Sequence, residues 1–472
     1  QGGLIRNMGT TLTRTLGTPT SQKIGTLSFW IKRSVKTGLG SGSTTVVHYQ
    51  GSPTYYSIWF DDRSAQANWS RLRIHLADNQ SPQYVVGTKM RFKDQAGWYH
   101  VVVRTDTTQS SAGDRIRVYV NGEQQTLGGL SDEGNQPAQD YVIPGWASGQ
   151  TTTIGDADNG GMYLSEVIFA DGQSYAPTVF GSSNSNGAWV PNTSPSVTYG
   201  NNGYRLSFAG TGTSANASGF GADTSGNDNH FAASNLGTNP SVSDTPQNNF
   251  PIMDADQGVY TASNTFAEGN LKMTADSSRY EFANATMGVR TGKWYWEMKA
   301  VSKSGGSDWY GTGVMVSSPQ TNDYGGSDNG QSNLSGCYYY GYGQIRTNGT
   351  TPGTYAAYTA GDIVSVAMDC DNSCIYFAKN GVWQNSGVPT SGASKTGAQT
   401  LTTPEVRSSG YNFWVPGLCY FDGGQSGVMQ INFGNPTFTI ASSNSDANGY
   451  GSFEYAVPSG YYAICSKNLG QY

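Results

Sequence analysis

The segment GDIVSVAMDCDNSCIYFAKNGVWQNSG, Gly361 to Gly387, constrains the fold more than any other part of the chain. Ile363 to Met368 is a near-continuous apolar run, suited to a strand buried on both faces. Asp369 to Ser373 supplies Asp and Asn side chains that bond their own backbone in a reversal, and Cys374 to Ala378 returns as strand. Asn380-Gly381 then turns the chain again, because that pair accepts the positive φ angles of a two-residue hairpin turn. Consecutive hairpins of this kind imply antiparallel sheet.

The front half repeats the pattern. Ile116, Val118 and Val120 share one strand face and Arg117 and Tyr119 the other, ahead of an Asn121-Gly122 turn. Leu27, Phe29 and Ile31 alternate with Ser28, Trp30 and Lys32, which predicts a half-buried strand. GWYHVVVRTD (Gly97 to Asp106) is apolar enough for a central strand, and MYLSEVIFADG (Met162 to Gly172) gives another. With 63 glycines, 13% charged residues and no long stretch of helical period, the chain reads as all-β. Its 472 residues exceed one ordinary sandwich and fit two or three domains.

A net charge of −6 argues against binding a phosphate backbone, which needs clustered Lys and Arg, so no nucleic-acid partner is expected. No apolar run approaches the roughly 18 residues of a membrane-spanning helix, so no membrane insertion is expected. The start, QGGLIRNMGT, has no signal pattern and no initiator Met, so the numbered chain is expected to begin after processing or after a preceding segment. Cys337, Cys370, Cys374, Cys419 and Cys465 are odd in number and absent from the front half, which favours free thiols. A local bridge between Cys370 and Cys374 is the alternative. His48, His75, His100 and His230 are scattered singly and read as strand or loop positions.

The Gly361–Gly387 segment resembles the SPRY domain, a family that binds partners through loops. TLSFWIKRS, GWYHVVVRTD, DRIRVYVNGE and YLSEVIFADGQSYAPTVFG together resemble a laminin-G-like, concanavalin-type jelly roll over roughly residues 10 to 208. Between the two lies a Gly, Ser, Asn and Asp-rich stretch that composition alone marks as a flexible linker. It contains GADTSGNDNHFAASNL and DTPQNNFPIMD; with Asn186 to Pro191 and YGNNGYRLSF, these resemble a virion protein family of marine and cyanobacterial tailed phages. GKWYWEM, QINFGNPTF and VPSGYYAICSKNL fit the last domain of that family. The organisation expected is an N-terminal arm (1–20), a laminin-G-like sandwich (21–209), a connector (210–255) and a SPRY-like sandwich (256–472).

Concanavalin-type sandwiches include glycoside hydrolases, whose chemistry needs two carboxylates across the sugar. No E-x-D or E-x-x-x-E pattern places two acids on one strand face. Glu166 and Glu297 stand alone and read as structural, so no enzyme is expected and a polysaccharide depolymerase is the outlying reading. Asp156, Asp158 and Asn159 offer oxygen ligands for calcium, with Asp61-Asp62 as a second cluster; both also read as Asx-stabilised turns. Tyr338, Tyr340 and Tyr342 alternate with Tyr339 as a sugar platform or, in better accord with the SPRY pattern, as core. The receptor-contact candidates are Trp309, Tyr310 and Tyr324, with Trp414 weaker because its segment also reads as strand, on a surface formed by residues 305–335 and 405–416.

The resemblance implies a structural protein exposed on a tailed-phage virion, most simply a tail-fibre adhesin that binds host glycan or another envelope component. Other virion proteins and copies of itself, a homotrimer by analogy with fibres, are its expected partners. The alternative is a capsid decoration or cement protein.

Overall fold

A computed structural model describes residues 2–5, 10–34, 43–51, 54–62, 70–77, 83–128, 134–155, 161–255, 264–277, 281–305, 310–316, 336–347, 350–401, 413–420 and 425–471. The chain divides into two units, Gln1–Gln247 and Asn248–Tyr472, both built almost wholly of antiparallel β-sheet. The all-β, two-sandwich architecture expected from the turn chemistry is present.

The first half of unit 1 contains β1 (Gly2–Ile5), β2 (Thr11–Thr15), β3 (Ile24–Arg33), β4 (Ser43–Gly51), β5 (Thr54–Asp61), β6 (Arg71–Ala77), β7 (Gln83–Gly87) and β8 (Tyr99–Asp106). There follow β9 (Ile116–Val120), β10 (Glu123–Gln124), β11 (Thr151–Ile154), β12 (Met162–Asp171), β13 (Gly181–Ser183), β14 (Trp189–Pro191), β15 (Tyr204–Leu206), β16 (Ala232–Ser234) and β17 (Ser241–Val242). One sheet has the order β10-β9-β8-β3-β12-β1-β17, with β15 also on β12, and the other β16-β2-β11-β4-β5-β6-β7. Their inner faces bury Leu27, Phe29, Ile31, Tyr49, Ile58, Ile74, Val101, Val103, Val118 and Phe169. The Asn121-Gly122 turn has φ of 49° and 86°, as its residues require.

Three expectations need correction in unit 1. The N-terminal arm is part of the sandwich: β1 lies between β12 and β17, and β2 pairs with β11 and β16. The connector is folded as far as Gln247, and residues 248–255 belong to the second unit. Phe220 and Phe231 are fully buried in the first core, and β3 is buried on both faces, with Ser28, Trp30 and Lys32 all 2% exposed or less.

A polar knot explains how so few apolar residues hold the connector. The Asp223 carboxylate accepts hydrogen bonds from the backbone N–H groups of Arg205, Ser225 and Asn229 and from the Ser225 hydroxyl. Asn229 donates to the carbonyls of Asn201 and Gly203, and Arg14 on β2 donates to its side-chain oxygen. Gly203 is needed here, since a Cβ would lie 1.9 Å from the Tyr199 carbonyl oxygen.

The outer face of β3 is covered by the β13–β14 hairpin. Trp189 donates from Nε1 to Nδ1 of His100 at 2.9 Å, and His100 stacks on Trp30 at 4.7 Å between centroids. Ser28 Oγ lies 2.9 Å from the other ring nitrogen, so the accepting Nδ1 and this contact fit a neutral imidazole. Burial pushes the His100 pKa down to about 3.

In unit 2, Lys293–Lys303 is a central strand between Gln425–Asn432 and Ile363–Asp369. Ile363–Asp369 pairs with Cys374–Lys379, and every residue of the former is buried. Asn380 and Gly381 have φ of 48° and 78° and lead into Val382–Trp383, so both predicted reversals are present. A second sheet has the spatial order Glu281–Asn284, Trp414–Tyr420, Tyr310–Val316, Gly336–Tyr340, Gln344–Thr347, Thr350–Thr354. The final segment adds Tyr462–Ala463 in parallel to the central strand and one short helix, Ser466–Leu469.

Candidate functional site

Among the aromatic candidates, Tyr310 and Trp414 are core residues and not a receptor-facing surface. Tyr310 opens the strand Tyr310–Val316, is 0% exposed and packs on Tyr420 at 5.8 Å. Trp414 opens Trp414–Tyr420, pairs with Val316 and is 7% exposed. The flanking Gly, Ser and Asn residues suggested loops, but strand pairing places both rings inside. Trp309 and Tyr324 lie outside the described residues, as do Asp156, Asp158 and Asn159. Tyr338, Tyr339 and Tyr340 are each 1% exposed or less, and Tyr342 is half-buried with its ring 5.7 Å from that of Tyr340, so the tyrosine stripe is packing. Tyr340 opposes Gly311, where a Cβ would lie 2.3 Å from Cys419 Sγ and 3.3 Å from the Tyr340 ring, so the missing side chain leaves room for both.

The acidic candidates are held in structural bonds. Asp62 takes both oxygens to Arg33 Nη2, at 2.7 and 2.6 Å, and Asp61 pairs with Arg73 at 3.0 Å. That cluster is compensated by guanidinium groups and is not a calcium site. Glu166 occupies a bulge on β12 with φ of 48° and pairs with Arg205 at 2.6 Å. Glu297, 0% exposed, accepts from Tyr295 Oη, Asn432 Nδ2 and the backbone N–H groups of Glu454 and Tyr455. Burial pushes its carboxyl up from the ordinary value against those four bonds. All five cysteines are free, and burial raises the Cys370 and Cys374 thiols, which leaves them weak nucleophiles.

The concave feature that topology assembles lies at the open side of the first sandwich. There the edge strands β9–β10 of one sheet meet the edge strand β7 of the other. A groove of ≈ 770 Å³ is lined by Gln83 and Tyr84 of β7, Ile116 and Arg117 of β9, Gln124 of β10 and residues of the 112–113, 125–127 and 134–136 segments. Its size falls in the range of ligand-binding clefts.

The wall is fixed by backbone bonds across the seam. Lys89 N–H donates to Thr126 O at 3.0 Å, Gly128 N–H to Gly87 O at 2.8 Å, and Gly134 N–H to Val85 O at 2.9 Å. Gln136 grips both the N–H and the carbonyl of Ile116, at 3.0 and 3.1 Å, like an added strand. Tyr84 and Leu127, both half-buried, form an apolar base, and Tyr84 is braced edge-on by Tyr141 at 5.0 Å between centroids.

Gln83, Gln124 and Asn135 are exposed at the rim, and Arg117 is oriented by an ion pair with Asp114. The Arg117 Nε–H has no hydrogen-bond partner. Amides that donate and accept, one guanidinium and an apolar floor suit a polyhydroxylated ligand. Among the described residues, the lining includes no carboxylate.

Residues 9–163 match the family described as the Concanavalin A-like lectin/glucanases superfamily, in its laminin-G form, and residues 293–402 match the SPRY domain. The first unit therefore carries a laminin-G-like domain and the second a SPRY domain. No curated protein matches the chain. Among solved structures it is similar to the SPRY domain of human HERC1, at 18% identity over 38% of this chain and 96% of that one, with a TM-score of 0.28. It is also similar to the native heptameric SAP-like pentraxin from Limulus polyphemus, at 14% identity over 42% and 94%, TM-score 0.27. Stonustoxin is matched at 17% identity over 39% of this chain and 27% of that chain, TM-score 0.26.

Proposed function

We propose that the chain is an exposed adhesin of a tailed-phage particle that grips a host-surface glycan through the groove on its laminin-G-like unit. The groove carries this reading, because rim amides, an oriented guanidinium and an apolar floor match sugar hydroxyls and ring faces. The particle assignment rests on the Gly221–Leu236 and Asp244–Asp254 motifs and their resemblance to virion proteins. Each contact is weak, and several copies at fixed spacing, a homotrimer in the simplest case, multiply it. Trp309 and Tyr324 of the SPRY unit are proposed as a second contact.

The test is binding of the purified chain to a panel of immobilised bacterial surface polysaccharides. Replacing Gln83 and Gln124 together with Ala removes two exposed amides without touching the core. At about 1 kcal/mol per hydrogen bond, the double variant binds about thirtyfold more weakly at an unchanged melting temperature. Unchanged affinity in that variant contradicts the groove, and a wild-type chain that binds none of the panel contradicts the glycan reading.

A further inference from the structure

One ion pair in unit 1 differs from the rest. Lys32 Nζ on β3 lies 2.8 Å from Asp244 Oδ2 just after β17, with both side chains 0% exposed. The two residues are 212 positions apart in sequence. Other buried pairs, Arg33–Asp62 and Arg73–Asp61, use guanidinium groups that stay protonated and do not act as nucleophiles. The side chains of Lys23, Lys293 and Lys379 are 37%, 27% and 27% exposed. Lys32 is thus the fully buried amine in contact with a carboxyl group among the described ion pairs.

Its surroundings are those of a reaction site as much as of a salt bridge. The ammonium lies 5.4 Å from the centre of the Tyr163 ring, which is itself 0% exposed and meets Trp98 edge-on. Trp98 donates from Nε1 to Oδ1 of Asp244 at 2.9 Å, while Lys32 lies 2.8 Å from Oδ2. Burial lowers the Lys32 pKa, with Asp244 opposing and the more distant Asp94 adding to the opposition. Two charges in so dry a place are expensive to keep, whereas a neutral amine facing a neutral acid is not.

We propose that Lys32 and Asp244 form a self-modification site that closes into an intramolecular isopeptide bond. A proton passes from the ammonium to the carboxylate, leaving an amine lone pair at contact distance from the carboxyl carbon. The Nζ–Cγ bond forms, and Trp98 N–H stabilises the negative charge that gathers on Oδ1. Collapse breaks the Cγ–Oδ2 bond, and that oxygen leaves as water with one proton from the acid and one from the amine. No oxidant or co-reactant enters. Holding the partners in contact is equivalent to an effective concentration of about 10⁵–10⁸ M, which offsets the preference of amides for hydrolysis in water. The bond ties a central strand of one sheet to the end of the unit and prevents the unit from opening fully.

Intact-mass spectrometry of the full chain tests this, followed by tryptic digestion after denaturation. The expected result is a mass below the sequence value by one water and a branched peptide joining the Lys32 and Asp244 fragments. Asp244→Asn, which has no carboxylate to take the Lys32 proton, and Lys32→Met each keep their full sequence mass. A folded wild-type chain at full sequence mass, with both peptides recovered unbranched, overturns the proposal whatever the variants do.

Discussion

Asp223→Ala removes the hub of the knot that fastens residues 221–234 to the first sandwich. The wild-type carboxylate accepts from Arg205 N–H at 2.8 Å, Asn229 N–H at 2.9 Å, Ser225 N–H at 2.9 Å and Ser225 Oγ at 2.7 Å. Ser225 is half-buried and regains water when the carboxylate goes, but the Asn229 bond lies inside the structure. Each buried donor left without an acceptor costs about 1–3 kcal/mol, so with Asn229 stranded and Arg205 partly so the loss is about 2–4 kcal/mol. Asn229 also holds Asn201, Gly203 and Arg14, so the loosening spreads to β2. Hydrogen exchange read by mass spectrometry resolves this locally. Protection in Ala232–Ser234 and Thr11–Thr15 falls by about 30- to 1,000-fold, while Lys293–Lys303 of the second unit keeps its wild-type rate. Unchanged exchange in residues 221–234 refutes the knot and restores a passive connector.

Glu297→Ala strands two backbone N–H groups and destabilises the second unit by about 3–5 kcal/mol, seen as a lower urea midpoint; equal midpoints contradict its structural role. His100 is neutral when folded and titrates near its ordinary value of about 6.5 when unfolded, so the unfolded chain binds the extra proton. Stability is intact above pH 6.5 and falls by about 1.4 kcal/mol per unit as pH drops toward 3, a slope His100→Gln flattens in denaturant titrations. Parallel slopes in the two proteins contradict that assignment. Asp62→Ala leaves the buried Arg33 guanidinium uncompensated and costs about 3–5 kcal/mol in thermal or urea unfolding; a near-neutral effect contradicts the pairing.

The strands and their turns were legible because their signals are local. Asn121-Gly122 and Asn380-Gly381 announce positive φ, and the apolar run at Ile363 announces a strand buried on both faces. The connector was not legible, because a polar knot has no period: one carboxylate and two phenylalanines do the work of a strand pair. The strand in the arm is hidden for a related reason, since TLTRT at Thr11–Thr15 is polar on its outward face. Tyr310 and Trp414 looked like loop aromatics because glycine-rich neighbours suggest turns, yet here glycines leave room for rings on opposing strands. The structural roles of Glu166 and Glu297 were legible from the lack of acidic neighbours. The groove had no sequence signal, since Gln83, Arg117, Gln124 and Asn135 are scattered polar residues that only the meeting of two sheet edges brings together.

The proposed attachment role is decided by adsorption of tailed-phage particles made to carry this chain, measured with and without antibody fragments raised against the Gln83–Gln124 rim. The expected result is that the fragments label the outside of the particle and block attachment to host cells. Particles that are labelled there yet adsorb at the normal rate, or that expose no such epitope, contradict it.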